Sequence, residues 1–168
     1  MRVFELVKYH VRRKDKEITD LTVLRKILKS AKFVTIAMCR HNEPYLVSLS
    51  YGYDEENNRI YFHCAQEGKK LDYLRENNKV WGQVLLDFGY SRGNYCDHLY
   101  ASVHFSGKVT FVNDSNEKRR AIECMIRHLD SNPEALISKL SSQDLDKILI
   151  GRIDIEYMTG KKSKGVTI

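Results

Sequence analysis

Apolar and polar residues alternate with period two through most of the chain, and the alternation is interrupted by a few stretches with a period near 3.6. The first helical stretch is predicted to be capped by Thr19 or Asp20 and to run to about Ser30, with Leu24, Ile27, Leu28 and Ala31 on one stripe. Strand signals follow. Phe33–Cys39 places Val34, Ile36 and Met38 on one face, and the polar Arg40–Glu43 segment reverses the chain into Pro44–Tyr53. In that second strand Tyr45, Val47, Leu49, Tyr51 and Tyr53 point one way, and Leu46, Ser48, Ser50 and Gly52 the other. The second face is mostly small. It either lies under another element or leaves room beside the sheet for a ligand. A turn over Asp54–Asn58 leads into Arg59–Cys64, where Ile60, Phe62 and Cys64 share one face and Tyr61 and His63 the other.

A short helix is predicted next on Leu71 and Leu74, then a strand over Lys79–Phe88, a polar loop over Gly89–His98, and a long strand over Leu99–Val112 with a bend at Gly107. Asp114 or Ser115 caps a helix reaching Leu129, with Ala121, Ile122, Met125, Ile126 and Leu129 as its buried stripe. A shorter helical stretch follows over Ser131–Gln143, then a closing strand, Ile148–Tyr157, and a Gly- and Lys-rich tail, Met158–Ile168. Met1–Lys16 reads as a basic lead-in arm. About six antiparallel strands with peripheral helices imply a mainly β fold with α, a closed or split barrel in one domain over 1–168.

Composition narrows the classes. At 168 residues, with 42% hydrophobic and 30% charged residues, the chain can bury a core without metals or disulfides. Cys39, Cys64, Cys96 and Cys124 are scattered, with no spacing that holds zinc, and free thiols fit a cytoplasmic location. His98, His104 and His128 sit on separate elements, so no metal is assigned. No apolar run approaches membrane-spanning length. A formal net charge of +6 points to anionic partners, and the basic clusters at Arg12–Lys16 and Lys161–Lys164 have too few aromatic residues among them for a nucleic-acid platform.

The chemistry concentrates in Arg59–Asn77, RIYFHCAQEGKKLDYLREN. A strand ends, the Ala65–Gly68 turn follows, and a helix begins with Lys69 and Lys70 at its positive end. Cations there are disfavoured by about 0.3–1 kcal/mol. Two readings are open: both lysines are solvated, or an anion such as a phosphate completes the site with the free N–H groups of the first turn.

The wording IYFHCAQEGKKLDYLREN, preceded by NEPYLVSLSYGYD, resembles the pyridoxamine 5′-phosphate oxidase-like split barrels, and within them the 5-nitroimidazole-resistance branch with its YFH-x-A-x-x-G-x-K run. The resemblance runs from about Asp15 to Gly165, with its specific core in Asn42–Asn77. It implies a six-stranded antiparallel FMN-binding split β-barrel acting as an FMN-dependent oxidoreductase, with nitroimidazole or other nitro-compound reductases as the nearest type, on an unidentified small molecule. It implies that Val47, Ser48 and Leu49 read the flavin ring edge, that His63, Cys64 and Ala65 lie beside the ribityl chain and ring, and that Gly68, Lys69 and Lys70 cradle the phosphate. His63 is the implied proton or hydrogen-bond donor. It further implies a homodimer in which Trp81–Gln83, Ser102 and Lys161 complete the neighbour's site. The C-terminus, TGKKSKGVTI, lacks the Arg and His with which pyridoxamine-phosphate oxidases proper hold pyridoxal phosphate, so vitamin B6 oxidation does not follow. The alternatives are a non-catalytic flavin carrier or sensor, and a split barrel hosting haem or a deazaflavin.

Overall fold

A computed structural model describes residues 11–91, 97–141, 143, 145 and 147–168. The lead-in over 1–10 and part of the expected Gly89–His98 loop fall outside them. After a 3₁₀ turn at Lys14–Lys16 the elements are β1 (Glu17–Ile18), α1 (Leu21–Ser30), β2 (Phe33–Arg40), β3 (Glu43–Ser50), β4 (Gly52–Asp54), β5 (Arg59–Cys64), α2 (Lys69–Glu76), β6 (Lys79–Tyr90), β7 (His98–Val112), α3 (Ser115–Leu129), α4 (Pro133–Ile137) and β8 (Leu149–Lys162).

The strands form one antiparallel sheet in the order β3-β2-β6-β7-β8-β5-β4, with β1 added to β8. Its two ends are not joined to each other, which makes a split barrel. Eight strands replace the six expected. One of the extra pair is the two-residue β1; the other arises because the expected strand 44–53 breaks at Tyr51. That side chain is fully buried and its hydroxyl donates to the Leu28 carbonyl, so the backbone turns there from β3 into β4. The closing strand also runs five residues further than the alternation indicated. Met158–Lys162, read from its composition as tail, pairs with β7 and β1, Lys161 lying opposite Glu17 and Ser102.

Local chemistry accounts for most boundaries. His41 and Asn42 adopt φ of 50° and 63°, the left-handed pair that closes a two-residue hairpin between β2 and β3. The Asp20 carboxylate accepts from the Thr22 N–H at 2.8 Å and starts α1, and Asp114 does the same for α3 through the Glu117 N–H at 2.8 Å. The expected bend at Gly107 is a register shift in the β7–β8 ladder between Ser106 and Gly107.

The core lies inside the curved sheet under α1, where Ile27, Leu28, Val34, Ile36, Ile60, Phe62 and Phe105 are fully buried. Each such side chain contributes about 1.5–3 kcal/mol by burial. A second, smaller cluster joins Tyr61, Ile150, Ala121, Ile122 and Met125 where α3 covers the other face of β4 and β5. Gly52 is the contact point: a Cβ there would lie 2.7 Å from the Met125 backbone nitrogen. At this position the small-residue face lies under a helix.

Two glycine–phenylalanine pairs set the curvature. Gly82 faces Phe105 across β6 and β7, and Gly151 faces Phe62 across β5 and β8. A Cβ would come within 2.1 Å of the Phe105 ring in the first pair and 2.2 Å of the Phe62 ring in the second. Each ring therefore lies flat over its opposing glycine.

Two predictions follow from this packing. Gly151→Ala destabilises the fold by about 1–3 kcal/mol, the usual cost of overpacking, and pairing it with Phe62→Leu recovers part of the loss in a double-mutant cycle read by chemical denaturation. The second concerns His128, which is wedged against the Tyr51 ring at 4.6 Å with Nε2 2.7 Å from the Ala31 carbonyl. Burial, aided by Lys32 and opposed by the Ala31 carbonyl, lowers its pKa below the ordinary 6.5. The unfolded chain then binds more protons than the folded one. Stability is full above about pH 6.5 and is lost as pH falls through the folded-state pKa. His128→Gln flattens that slope in urea titrations. His104, lowered in the same direction by burial, retains a share of it.

Candidate functional site

The end of β5, the Ala65–Gly68 turn and the start of α2 form the centre of the site. Gly68 is the N-cap, with φ 128° and ψ 163°, a conformation open to glycine and costly for any side chain. No side chain caps α2, and the Leu71 N–H reaches back to the Gly68 carbonyl at 2.8 Å. A Cβ at Gly68 would meet nothing within 4 Å, so the approach to the helix end is open.

The two lysines occupy different surroundings. Lys69 is exposed, with Nζ 4.9 Å from the Tyr45 ring centroid, 5.5 Å from that of Tyr73, and 3.5 Å from a Glu43 carboxylate oxygen. The two tyrosine rings themselves pack at 5.3 Å. Lys70 is half-buried, 5.8 Å over the Phe62 ring. Burial raises the Cys64 thiol's pKa, and the charge of Lys70 opposes the shift. Cys64 thus stays a thiol packed against the core, as its place on the Ile60–Phe62 face indicated.

The remaining sequence candidates fall into three groups. Val47 and Leu49 are half-buried on the inward side of β3, the same side as Tyr45, and so continue the surface that Lys69 touches. β3 is the end strand of the sheet and pairs only with β2 among the described residues, which leaves backbone groups free along its other edge. Ser48 faces outward, its hydroxyl 2.8 Å from that of Thr35. His63 is exposed at the end of β5, on the opposite face from Cys64 and Phe62 and opposite Ile150, and Ala65 is exposed just beyond. Ser102 and Lys161 are cross-strand partners on β7 and β8, Ser102 buried and Lys161 half-buried. Within Trp81–Gln83, Trp81 and Gln83 face outward while Gly82 is covered by Phe105, so Gly82 has no surface to offer a neighbour.

Sequence reading missed Tyr45, Tyr73 and Glu43 as the surroundings of Lys69. Tyr73 follows Lys69 at the i,i+4 spacing of α2, whereas only the docking of α2 against β3 brings Glu43 and Tyr45 to it. The network on the α3 side was missed as well: Arg152 Nη1 donates to Glu117 Oε1 at 2.9 Å, and Arg59 Nε donates to Asp154 Oδ1 at 2.8 Å. Arg59, Glu117 and Arg152 line an open groove of about 890 Å³ between α3 and the β4–β5 turn, and the Arg152–Glu117 pair ties α3 to the sheet. Among the described residues no group of His, Cys, Asp and Glu is arranged to hold a metal ion. None of the helices is long and apolar enough to cross a membrane.

This fold is a split barrel. The sequence profile of the pyridoxamine 5′-phosphate oxidase family matches residues 20–162, and the chain belongs to that family. Among solved structures it is similar to a protein from Bacteroides thetaiotaomicron assigned to 5-nitroimidazole antibiotic resistance, with 24% identity, 87% of this chain and 86% of that one covered, and a TM-score of 0.73. It is also similar to a flavocytochrome from Azotobacter vinelandii (17% identity, 95% and 75% covered, TM-score 0.77). A third is an FAD- and haem-binding protein from Mycobacterium smegmatis (17%, 91% and 76%, TM-score 0.76). At these identities the likeness establishes the fold. No functionally curated protein matches the chain.

The glycine geometry gives a direct test: Gly68→Ala costs about 1–3 kcal/mol of backbone strain, measurable as a lowered denaturation midpoint.

Proposed function

We propose that the protein is an FMN-dependent oxidoreductase of the nitro-compound reductase type, acting on a small molecule in the cytoplasm. The observation that carries this reading is the uncapped start of α2, where Gly68 at φ 128° opens the backbone beside Lys69 and Lys70. Free N–H groups, the positive end of the helix dipole and two ammonium groups suit a phosphate dianion. The residues present fit FMN: Gly68, Lys69 and Lys70 would hold its phosphate, while the free edge of β3 at Val47, Ser48 and Leu49 would supply backbone partners to its ring. Cys64 and Ala65 would flank the chain between them.

Bound flavin would supply electron or hydride transfer, and the protein its binding and orientation. His63 is exposed at the strand end on the face away from Cys64, and would hold a proton or donate a hydrogen bond to the flavin only by reaching round that end. Glu43 competes with the phosphate for Lys69, so flavin binding replaces a solvent-exposed ion pair with a charge-assisted one.

A homodimer is part of the proposal. The outward sheet face carries Phe33 and Leu46, each 64% exposed, with Leu85 about half exposed. Such a surface fits burial against a second copy. Gln83 and Lys161 on that face would then reach the neighbour's flavin, while Ser102, buried beside Lys161, would need its cover to shift to do so.

A non-catalytic flavin carrier is the second reading. It is favoured by one observation: concavities of about 890 and 570 Å³ lie by α3 and by Trp81, away from the α2 start. Steady turnover of nitroaromatics or quinones with NAD(P)H would exclude it, and tight stoichiometric FMN with no turnover would support it.

The test of the phosphate site is the double variant Lys69→Ala/Lys70→Ala. It is expected to weaken FMN binding by about 2–4 kcal/mol, two charge-assisted contacts less their non-additivity. Fluorescence titration with FMN reads the change, and an unchanged Kd would place the phosphate elsewhere. Glu43→Gln is expected to tighten binding modestly, and Leu85→Lys to shift sedimentation toward the monomer.

A further inference from the structure

His128 is a half-buried titratable side chain that the flavin site does not use, and separate parts of the fold meet at its ring. From α3 it packs on the Tyr51 ring, centroids 4.6 Å apart, and its Nε2 donates to the Ala31 carbonyl at the end of α1 at 2.7 Å. A carbonyl only accepts, so in the neutral imidazole Nδ1 is the unprotonated nitrogen. Lys32 closes the joint, its Nζ donating to the His128 carbonyl at 2.6 Å. Tyr51 in turn donates to the Leu28 carbonyl and stands at the corner between β3 and β4. One imidazole therefore joins the end of α3 to the end of α1 and to the corner that follows Val47, Ser48 and Leu49.

The charges around the ring differ on its two sides. On the seated side the charged neighbour is Lys32, and a second cation beside it is unfavourable. The Tyr51 phenol is engaged with Leu28, and Cys124, one turn back on α3, stays an uncharged thiol because burial pushes it up to about 11. On the other side His128 borders the 890 Å³ groove, which faces the Asp54, Glu55 and Glu56 carboxylates of the β4–β5 turn. The groove's cations are largely taken: Lys29 pairs with Glu55, Arg127 with Glu134, Arg59 with Asp154 and Arg152 with Glu117. Glu123 is paired with Arg119. Asp54 and Glu56 have no ion pair among the described residues. Arg120 has none either, but it lies eight residues back along α3, about 12 Å away. The negative end of the α3 dipole favours an imidazolium in either position and does not choose between them.

We propose that His128 is a two-position acid switch on the flavin site: neutral, it is seated on Tyr51 and Ala31; protonated, it turns out into the groove toward Asp54 and Glu56, and the β3–β4 corner loosens. Proton uptake favours the turned-out position, so the seated form is lost as pH falls and restored as it rises. The consequence, weaker binding of the ring along β3 at acid pH, rests on the flavin reading. The switch itself does not.

The test compares the full-length protein with His128→Gln, which keeps a neutral donor for the Ala31 carbonyl, at about pH 7.5 and about pH 5.5. Acidification is expected to weaken FMN binding, read by fluorescence titration, by about three- to tenfold more in the wild-type protein than in the variant. Each pKa unit between the two positions is worth about a factor of ten. The ionisation of the FMN phosphate, at about pH 6, acts on both proteins alike and cancels. Hydrogen exchange without flavin is expected to show protection lost at acid pH in the last turn of α3 and around Tyr51, in the wild-type protein only, with the rest of the core unchanged. Equal pH dependence of FMN affinity in the two proteins would overturn the proposal. Protection that is unchanged by acid, or lost across the whole chain, or lost equally in both proteins, would overturn it too. If FMN binds at neither pH the flavin reading falls, and the exchange result decides the switch.

Discussion

The structure depends on the seating of two phenyl rings over two glycines. Phe62 over Gly151 and Phe105 over Gly82 are both fully buried, and both span a strand pair at the heart of the sheet. A flat sheet cannot wrap a core. Removing the side chain from one strand lets the opposing ring lie down and the two strands curve round it. Phe62 then serves two ends at once: its ring fills the barrel beside Ile60 and Ile153, and it lies beneath the Lys70 ammonium at the start of α2. The placement of the candidate phosphate cradle is thus set by core packing, with the cradle at the mouth of the split.

The opening of the barrel has a definite cause. Tyr51 is pulled into the core and bonded to the Leu28 carbonyl, and the chain leaves β3 there to cross to β4 at the far end of the sheet. β3 consequently keeps an edge that pairs with nothing among the described residues, and α2 lies alongside it through Tyr45, Tyr73 and Lys69. An open strand edge and an uncapped helix end are left unsatisfied by the described residues of the chain itself. Both are suited to a ligand that carries hydrogen-bonding ring atoms at one end and a phosphate at the other.

Much of this was legible in the sequence, for identifiable reasons. The stripe Leu24, Ile27, Leu28 and Ala31 and the alternation of Val34, Ile36 and Met38 declare their buried faces, because local periodicity and burial coincide there. The unusual lysines after Gly68 were visible as a conflict with the helix dipole. Three things were not legible. The break at Tyr51 depends on a hydrogen bond to a helix 23 residues away in sequence. The extension of β8 through Met158–Lys162 depends on partners supplied by β1 and β7, and its composition resembles a solvated tail. The surroundings of Lys69 are completed by Glu43 and Tyr45, which belong to β3 and not to its own helix. In each case the deciding contact is long-range, which no window of residues contains.

The central claim is that the start of α2 was built for the phosphate of a flavin. It is tested most directly by the visible absorbance spectrum of the freshly purified protein, followed by mass identification of whatever denaturation releases. The account predicts the two-band spectrum of oxidised flavin and release of FMN in about equimolar amount. A colourless protein that takes up no added FMN would contradict it, and a Soret band with released haem would assign the cleft to a different ligand.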